Sequence, residues 1–170
     1  MSKNGDFRDT QDGRIVNPGH SMEAAWFIMN EGVIKNDSRA LESARKIIDM
    51  TLPIGWDCKN GGIIAFCDID GKPPVQLEWD MKLWWPQCET MIAARAAYIL
   101  YKDEKYKKLY EDILEYCKKY FIDKEHGEWY GYLHYDNTMS TDLKGNIFKG
   151  PFHVPRLYII MSIIDEYENK

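Results

Sequence analysis

Two histidines occupy equivalent places in a repeated pattern, and their side chains are suited to proton transfer. His20 and His153, with Gln87 between them, each lie one or two residues after a proline at the head of a predicted helix, and their spacings are 67 and 66 residues. Imidazole titrates near neutral pH, so it can both accept and donate a proton. A lone histidine at a helix start is more often structural, but two at the same repeat position favour chemistry. Facing each other across a pocket, they could remove a proton from one side of a carbon and return it on the other.

Charged residues lie within one helical turn of these positions. Glu23 follows His20 by three residues, so it could hydrogen-bond that imidazole, handle a substrate hydroxyl proton, or complete a capping box. Arg156 follows His153 by three residues and could stabilise an enolate, bind substrate oxygens, or pair with a neighbouring helix. Glu89 lies near the start of the helix between them. Together with Glu23 it leaves open the alternative of a carboxylate pair for a glycosidase or lyase.

The other two histidines and the large aromatic side chains are weaker signals. His126 lies in a turn-like Lys-Glu-His-Gly segment, and His134 alternates with aromatic residues, which favours a half-buried histidine in a strand. Aromatic rings suit the apolar faces of sugars, although they also fill cores. The aromatic residues near the predicted pocket are Trp84, Trp85, Trp129, Phe148 and Phe152.

The elements that must position these residues are mainly helices. Apolar residues recur at helical spacing over 22–33, 41–52, 88–99, 106–121 and 154–164, which predicts five helices. Two shorter segments have a different texture. The apolar run in 61–73 ends in Asp-Gly and predicts a small hairpin or an extended loop, and 127–139 alternates like a second hairpin.

The order of these elements is an internal repeat of helix pairs separated by hairpin-like segments. Repeated helix pairs whose connecting loops fall on one face build an α/α toroid or solenoid. Equivalent helix starts then meet at one end of the ring. The pattern therefore predicts that His20, Gln87 and His153 converge near one pocket.

Composition limits the class of protein. The chain has 170 residues, a net charge of −5 and 45% hydrophobic residues, which indicates one globular domain or part of a larger one and argues against a general nucleic-acid binder. Positions 1–13 are polar and predict a flexible leader ahead of a domain over 14–170. The sequence shows neither a signal-peptide pattern nor a bilayer-length apolar segment, so a cytoplasmic location is expected. Four scattered cysteines without CxxC spacing predict reduced thiols, mostly in the core, and no metal site.

Four segments resemble motifs of the N-acylglucosamine 2-epimerase family, in family order. PGHSMEAAW at 18–26 resembles PGHxxExxW, and KLWWPQCE at 82–89 resembles K-x-W-W-x-x-x-E. EWYGYL at 128–133 resembles EWFGYL, and KGPFHVPR at 149–156 resembles KGxFHVPR. The resemblance covers nearly the whole chain from about residue 14. It implies an all-α fold, a partial (α/α)6 barrel of about five helices with short hairpins, and metal-free C2 epimerisation of a sugar.

The resemblance also implies roles for particular residues. His20 and His153 match the family's acid/base histidines, and Glu23 matches the supporting glutamate. Trp84, Trp85 and Phe148 match sugar-contacting positions, and Glu89 and Arg156 are added as candidate substrate-binding residues. Relatives that act on disaccharides often carry tryptophan where Phe148 stands, which favours an N-acylhexosamine substrate. Some relatives respond to ATP, and no cofactor is expected.

Length is the important departure from the family. Family members are more than twice as long, and this chain resembles only their C-terminal half. The N-terminal half normally adds an arginine and another histidine to the pocket. The chain is therefore interpreted as a fragment or split subunit that needs a complementary half-barrel chain, with self-association as a further interpretation. Two other functions stay open, an aldose–ketose isomerase and a non-catalytic sugar-binding or protein-interaction half-barrel, since mammalian members are also known as renin-binding proteins.

Overall fold

The five predicted helices all form, and a short sixth precedes them. The computed structural model describes residues 2–4, 6 and 8–168. Its helices are α1 (Gln11–Arg14), α2 (Pro18–Lys35), α3 (Ser38–Gly55), α4 (Trp84–Tyr101), α5 (Glu104–Tyr120) and α6 (His153–Glu168). Helix α1 begins within the segment 1–13, which is predicted to be a flexible leader, and ends one residue beyond it. Positions 1, 5 and 7 of that segment, and 169–170 at the other end, lie outside the described residues.

Two tight helix-to-helix turns share one design. Asn36 ends α2 and Lys102 ends α4, each with a φ of 51° in the left-handed region. The next residue is an aspartate whose carboxylate accepts backbone N–H bonds at the start of the following helix, Asp37 for α3 and Asp103 for α5. Such a cap satisfies donors that the first turn of a helix leaves unpaired. The equivalent turns lie 66 residues apart, so the repeat predicted from the sequence is present in the structure.

The loops that follow α3 and α5 repeat the same geometry. The carboxylates of Asp57 and Asp123 each accept hydrogen bonds from backbone N–H groups two and three residues later. Gly61 and Gly127 have φ values of 80° and 72°, which glycine adopts without steric cost. The two loops are therefore equivalent parts of successive repeats.

Helices α2, α4 and α6 form one layer and α3 and α5 form a second. Helix α4 packs against α2, α5 and α6, and α3 packs against α2. Apolar residues lie on several faces of α2, α4 and α6, whereas α3 and α5 each combine one apolar face with one polar face. This is the arrangement expected of neighbouring segments in an α/α ring, as the sequence predicts. In the described part of the chain, no helix combines the length and the apolar content that crossing a membrane requires.

The strands are short and belong to the loops. They are β1 (Ile15–Val16), β2 (Cys67–Asp68), β3 (Lys82–Leu83), β4 (Tyr132–Leu133) and β5 (Met139–Thr141). Strands β3, β4 and β5 form an antiparallel sheet, so the hairpin predicted in 127–139 is confirmed.

The segment 61–73 is an extended loop, which was the second of its two predicted forms. It does not fold back on itself, because β2 pairs with β1 and Ile63 pairs with Trp56. An ion pair of 3.0 Å between Arg14 Nε and Asp68 Oδ2 fixes this pairing. The partner strand thus comes from before α2, which the local apolar run does not reveal.

The cysteines lie as predicted. All four are free thiols, and Cys67, Cys88 and Cys117 are buried while Cys58 is exposed. Burial raises the pKa of the Cys67 thiol to about 11, so this side chain is an inert part of the core.

Candidate active site

The starts of α2, α4 and α6 meet around the indole ring of Trp85. The ring centroid of Trp85 lies 4.8 Å from that of His20 and 5.5 Å from that of His153. Trp85 is half-buried, His20 is exposed, and the His153 side chain keeps 20% of its accessible surface. The predicted convergence of helix starts is therefore present for both histidines, which lie next to the same indole ring.

Glu89 organises the buried side of this site. Its side chain is completely buried, and Oε1 lies 2.8 Å from Nδ1 of His153. Oε2 accepts a hydrogen bond of 2.8 Å from the indole N–H of Trp26, and Oε1 accepts a second one, of 2.7 Å, from Nη2 of Arg156. Burial raises the pKa of Glu89, but the hydrogen bonds from His153, Arg156 and Trp26 outweigh burial, so the pKa is lowered overall. The carboxylate can only accept, so a hydrogen bond between these two groups requires the proton on Nδ1 of His153.

Arg156 joins two helices through their carboxylates. Its Nη2 lies 2.5 Å from Oε1 of Glu23 in α2 as well as bonding Glu89 in α4. Glu23 therefore pairs with Arg156, and the cap of α2 is Asn17, whose side chain accepts the backbone N–H of His20. Of the roles weighed for Glu23, the structure therefore shows an ion pair in place of the capping box or a hydrogen bond donated by the His20 imidazole. Of the roles weighed for Arg156, the pairing with neighbouring helices is the one present in the structure.

The carboxylates and imidazole around Arg156 also have the composition of a metal site. One donor atom from each of Glu23, Glu89 and His153 lies within 4.8 Å of the others. Nη2 of Arg156 already occupies the space among them, at 2.5 and 2.7 Å from the two carboxylates and 3.3 Å from Nδ1 of His153. The donor set as folded thus fits a guanidinium rather than a metal ion.

The aromatic residues predicted to contact a sugar lie at different depths. Trp84 is 4% exposed and packs edge-on against Tyr132 with its ring centroid at 5.5 Å. Phe148 is 77% exposed, in the loop before α6, and Phe152 is 57% exposed beside His153. Trp129 is buried against Phe121. Trp85 thus offers a ring face at the site, whereas Trp84 supports it from within the core.

Gln87 does not reach the pocket, contrary to the prediction from the repeat. It is fully buried, and its amide both accepts from the N–H and donates to the C=O of Ile63, each at 2.8 Å. It also donates to the carbonyl of Leu83 at 2.9 Å. The amide is saturated by backbone groups, so Gln87 fastens the loop after α3 to the start of α4.

The two remaining histidines lie on the surface. His126 is exposed in its predicted turn, next to Asp123. His134 is also exposed, not half-buried as predicted, because β4 ends one residue earlier and its backbone N–H bonds the carbonyl of Thr138 in the hairpin turn.

Sequence reasoning missed two contributors to the site. Trp26 was assigned to the apolar stripe of α2, but its indole N–H also holds Glu89. Lys82 is completely buried, and its Nζ lies 2.5 Å from the buried carboxylate of Asp57. It also donates to the carbonyl of Tyr135. The signal for both was their presence in the motif segments 18–26 and 82–89, where roles were given to His20, Glu23, Trp84, Trp85 and Glu89 but not to Trp26 or Lys82.

Comparison with known proteins gives a consistent match. A family model described as N-acylglucosamine 2-epimerase (GlcNAc 2-epimerase) matches residues 1–151. The N-acylglucosamine 2-epimerase of Rattus norvegicus is 44% identical over 148 residues, which are 85% of this chain and 35% of that protein. A cellobiose 2-epimerase of Ruminococcus albus is 26% identical over 85% of this chain and 37% of that protein. A crystal structure of D-mannose isomerase superposes with a TM-score of 0.78 at 28% identity, covering 87% of this chain and 37% of that one. The chain thus spans little more than a third of the length of the relatives it matches.

Proposed function

This chain belongs to the N-acylglucosamine 2-epimerase family, and from that premise we propose that it supplies the two proton-transfer groups for interconversion of N-acylglucosamine and N-acylmannosamine. The observation that carries the proposal is the placement of both His20 and His153 next to Trp85, at 4.8 and 5.5 Å between ring centroids. On this proposal, a sugar seated at the indole presents one face of its C2 carbon to each imidazole. No other pair of titratable groups is required by the chemistry.

The reaction is a proton exchange at one carbon. Ring opening gives the aldehyde, whose carbonyl makes the C2 proton acidic. One imidazole takes that proton, and the C–H electron pair passes into an enolate over C1 and C2. The other imidazole, starting protonated, donates its proton to the opposite face of C2, so one C–H bond is broken and one is formed. His153 is suited to begin as the base, because Glu89 holds its Nδ1–H and leaves Nε2 to accept.

The support around the histidines fits this scheme. Glu89 and Glu23 are tied through Arg156, which fixes the position of α6 relative to α2. Trp85 presents an aromatic face suited to the apolar side of a sugar, and Trp84 packs behind it. Phe148, exposed in the loop before α6, is proposed to close over the substrate from the other side.

Two observations support an N-acylhexosamine as the substrate class. Identity is 44% to the rat N-acylglucosamine 2-epimerase but 26% to a cellobiose 2-epimerase. The exposed ring at position 148 is phenylalanine, where relatives that act on disaccharides often carry tryptophan. The smaller ring suits a monosaccharide that has no second sugar to stack.

The exposed faces of α2 and α6 support the interpretation of the chain as one part of a larger ring. The middle of α6, 157–164, is apolar apart from Ser162, yet only Val154 and Leu157 of the helix are buried. Large side chains along the rest of the helix are exposed, namely Tyr158, Ile159, Ile163 and Tyr167. A helical segment that is apolar all round is normally buried, and the relatives are more than twice as long as this chain. We therefore propose that residues 14–170 form one half of a barrel domain. The complementary half-barrel packs on these faces and completes the site.

Aldose–ketose isomerisation is the second candidate, favoured by the similarity to D-mannose isomerase. It shares the first step and differs only in returning the proton to C1, which yields a ketose. The glycosidase alternative is disfavoured, because a general acid needs a carboxyl with a raised pKa. The pKa of Glu89 is lowered, and Glu23 and Glu89 share one guanidinium.

The test is proton NMR of N-acetylmannosamine in deuterium oxide, with the chain sized by light scattering. The chain is measured alone and after addition of the complementary N-terminal segment of the rat N-acylglucosamine 2-epimerase. Loss of the C2 proton signal with appearance of N-acetylglucosamine supports the proposal, and a ketose product would support the isomerase. A folded, assembled complex that binds the sugar without exchange would overturn both and leave the non-catalytic binding role.

A further inference from the structure

We propose that Arg156 is a positioning residue that sets the tautomer of His153 through Glu89, rather than a group that binds the substrate. This deepens the proposed function, since it concerns the histidine to which that function assigns proton transfer. The inference starts from two hydrogen bonds that one guanidinium nitrogen donates to carboxylates beside the His153 imidazole. Nη2 of Arg156 lies 2.7 Å from Oε1 of Glu89, 2.5 Å from Oε1 of Glu23 and 3.3 Å from Nδ1 of His153.

The guanidinium is held by aromatic rings as well as by carboxylates. Its central carbon lies 4.4 Å from the ring centroid of Phe152 and 5.3 Å from that of Trp26. Phe27, stacked on Trp26, lies at 5.7 Å. The Arg156 side chain is 15% exposed, so little water competes with the carboxylates for the guanidinium. The cation is therefore held in place by two carboxylates and by neighbouring aromatic rings.

The positive charge decides the protonation state of Glu89. A completely buried carboxyl group favours its neutral form, because burial penalises the charge. The pKa of Glu89 is nevertheless lowered, and Arg156 contributes both a hydrogen bond and a coulombic attraction. The other groups that face Glu89 are Trp26 from α2 and His153 from α6. Of the residues that donate a hydrogen bond to Glu89, Arg156 alone carries a permanent charge.

The state of Glu89 in turn decides which nitrogen of His153 carries the proton. A carboxylate only accepts, so it holds the Nδ1–H form and leaves Nε2 free to take a proton. A neutral Glu89 would have an O–H, which would donate to Nδ1 and move the imidazole proton to Nε2. His153 would then start as a donor instead of a base. Arg156 thus acts on the reaction indirectly, by determining which nitrogen of His153 carries the proton.

The experiment reads the tautomer directly and does not depend on turnover. The chain is labelled with ¹⁵N-histidine, and long-range ¹H–¹⁵N correlation spectra distinguish Nδ1–H from Nε2–H imidazoles. The His153 signals are identified by their loss in His153→Gln. Arg156→Met keeps an unbranched apolar stem between the rings but removes the charge, and Arg156→Lys keeps the charge. Arg156→Gln is a second neutral variant for use if the methionine variant does not fold.

Arg95→Met is the matched control. Arg95 also bonds two carboxylates of α6, Asp165 and Glu168, and stacks on Tyr110. Those carboxylates lie at least 12 residues along α6 from His153, about 18 Å at the rise of an α-helix. If the loss of any arginine–carboxylate pair on α6 disturbed His153 through a general structural change, the His153 tautomer would change in the control as well as in the test variant.

The expected result is a reversal of the majority tautomer in one class of variant. Neutral His153 is mostly Nδ1–H in the wild-type chain, in Arg156→Lys and in Arg95→Met, and mostly Nε2–H in Arg156→Met and Arg156→Gln. A wild-type His153 in the Nε2–H form, or an unchanged tautomer ratio in folded neutral variants, would overturn the inference. Failure of epimerisation would leave this reading intact, so the two proposals can fail separately.

Discussion

Replacement of Lys82 by methionine is expected to destabilise the protein strongly, although Lys82 touches neither histidine. Lys82 lies two residues before Trp84 and three before Trp85, so it anchors the start of α4. Its side chain and that of Asp57 are 0% and 1% exposed, with Nζ 2.5 Å from Oδ2. Methionine fills nearly the same volume without the charge. The variant therefore leaves the carboxylate of Asp57 buried without its cation.

The magnitude follows from the surroundings of Asp57. Removing one partner of a buried ion pair costs about 3 to 5 kcal/mol. Asp57 keeps hydrogen bonds from the backbone of Lys59 and from the backbone and side chain of Asn60, so the low end applies, about 3 kcal/mol. For a domain of this size, that free energy corresponds to a fall in Tm of about 6 to 12 °C.

The same pair predicts a pH dependence. Burial raises the pKa of Asp57, but the hydrogen bonds from Lys82 and Asn60 outweigh it and lower the pKa to about 2. The folded value lies below the unfolded value of about 3.9. Asp57 therefore adds stability above about pH 4, and that contribution, about 2 to 3 kcal/mol, is lost as the pH falls toward 2. Lys82→Met should flatten this part of the stability curve.

Thermal and urea unfolding followed by circular dichroism would measure both effects. Lys108→Met is the matched control, because Lys108 forms an ion pair of 2.9 Å with Asp112 while its side chain is 75% exposed. Exposed pairs contribute little, so this control should unfold like the wild type. If Lys82→Met unfolds at the wild-type temperature, or if both variants lose equal stability, the assignment of Lys82 as a buried anchor is refuted.

Two further predictions concern the loops that position the site. Gln87→Leu removes the amide that bonds Ile63 and Leu83, which leaves buried backbone groups unpaired at a cost of about 2 to 4 kcal/mol. Limited proteolysis should then cut the loop 58–66 faster than in the wild type, and an unchanged cleavage rate would contradict this role of Gln87. Phe148→Ala changes a side chain that is 77% exposed, so its Tm should stay within about 1 °C of the wild-type value. The KM for the N-acylhexosamine should rise in the assembled enzyme, whereas a lower Tm with an unchanged KM would show a structural role instead.

The repeated elements could be predicted from the sequence because their determinants are local. Apolar stripes and the aspartate caps Asp37 and Asp103 act within one or two helical turns, so the helix boundaries follow from neighbouring residues. The repeat spacing then brought His20 and His153 to one end of the helix layer. The sequence pattern was therefore sufficient to predict that His20 and His153, the two residues that matter most in the proposed chemistry, lie near each other's helix starts.

The partners of the buried polar groups could not be predicted in this way, because they are set by packing between distant segments. Glu23 and Glu89 meet Arg156 across more than 60 residues of sequence. Gln87 occupies the helix-start position of the repeat, yet its amide faces the loop after α3 rather than the pocket. Residue type suggested chemistry at each of these places, but only the three-dimensional contacts decide between a substrate contact and a structural bond.

The central claim is that His20 and His153 act on opposite faces of one carbon, and exchange by single variants tests it most directly. His20→Asn and His153→Asn are each assembled with the complementary segment and incubated with N-acetylmannosamine or N-acetylglucosamine in deuterium oxide, with His126→Asn as the control on an exposed turn. The account predicts that each single variant loses interconversion yet still exchanges the C2 proton of one epimer, a different epimer for each histidine, while the control keeps full activity. Interconversion that survives either single substitution, or two variants that exchange the same epimer, would contradict it.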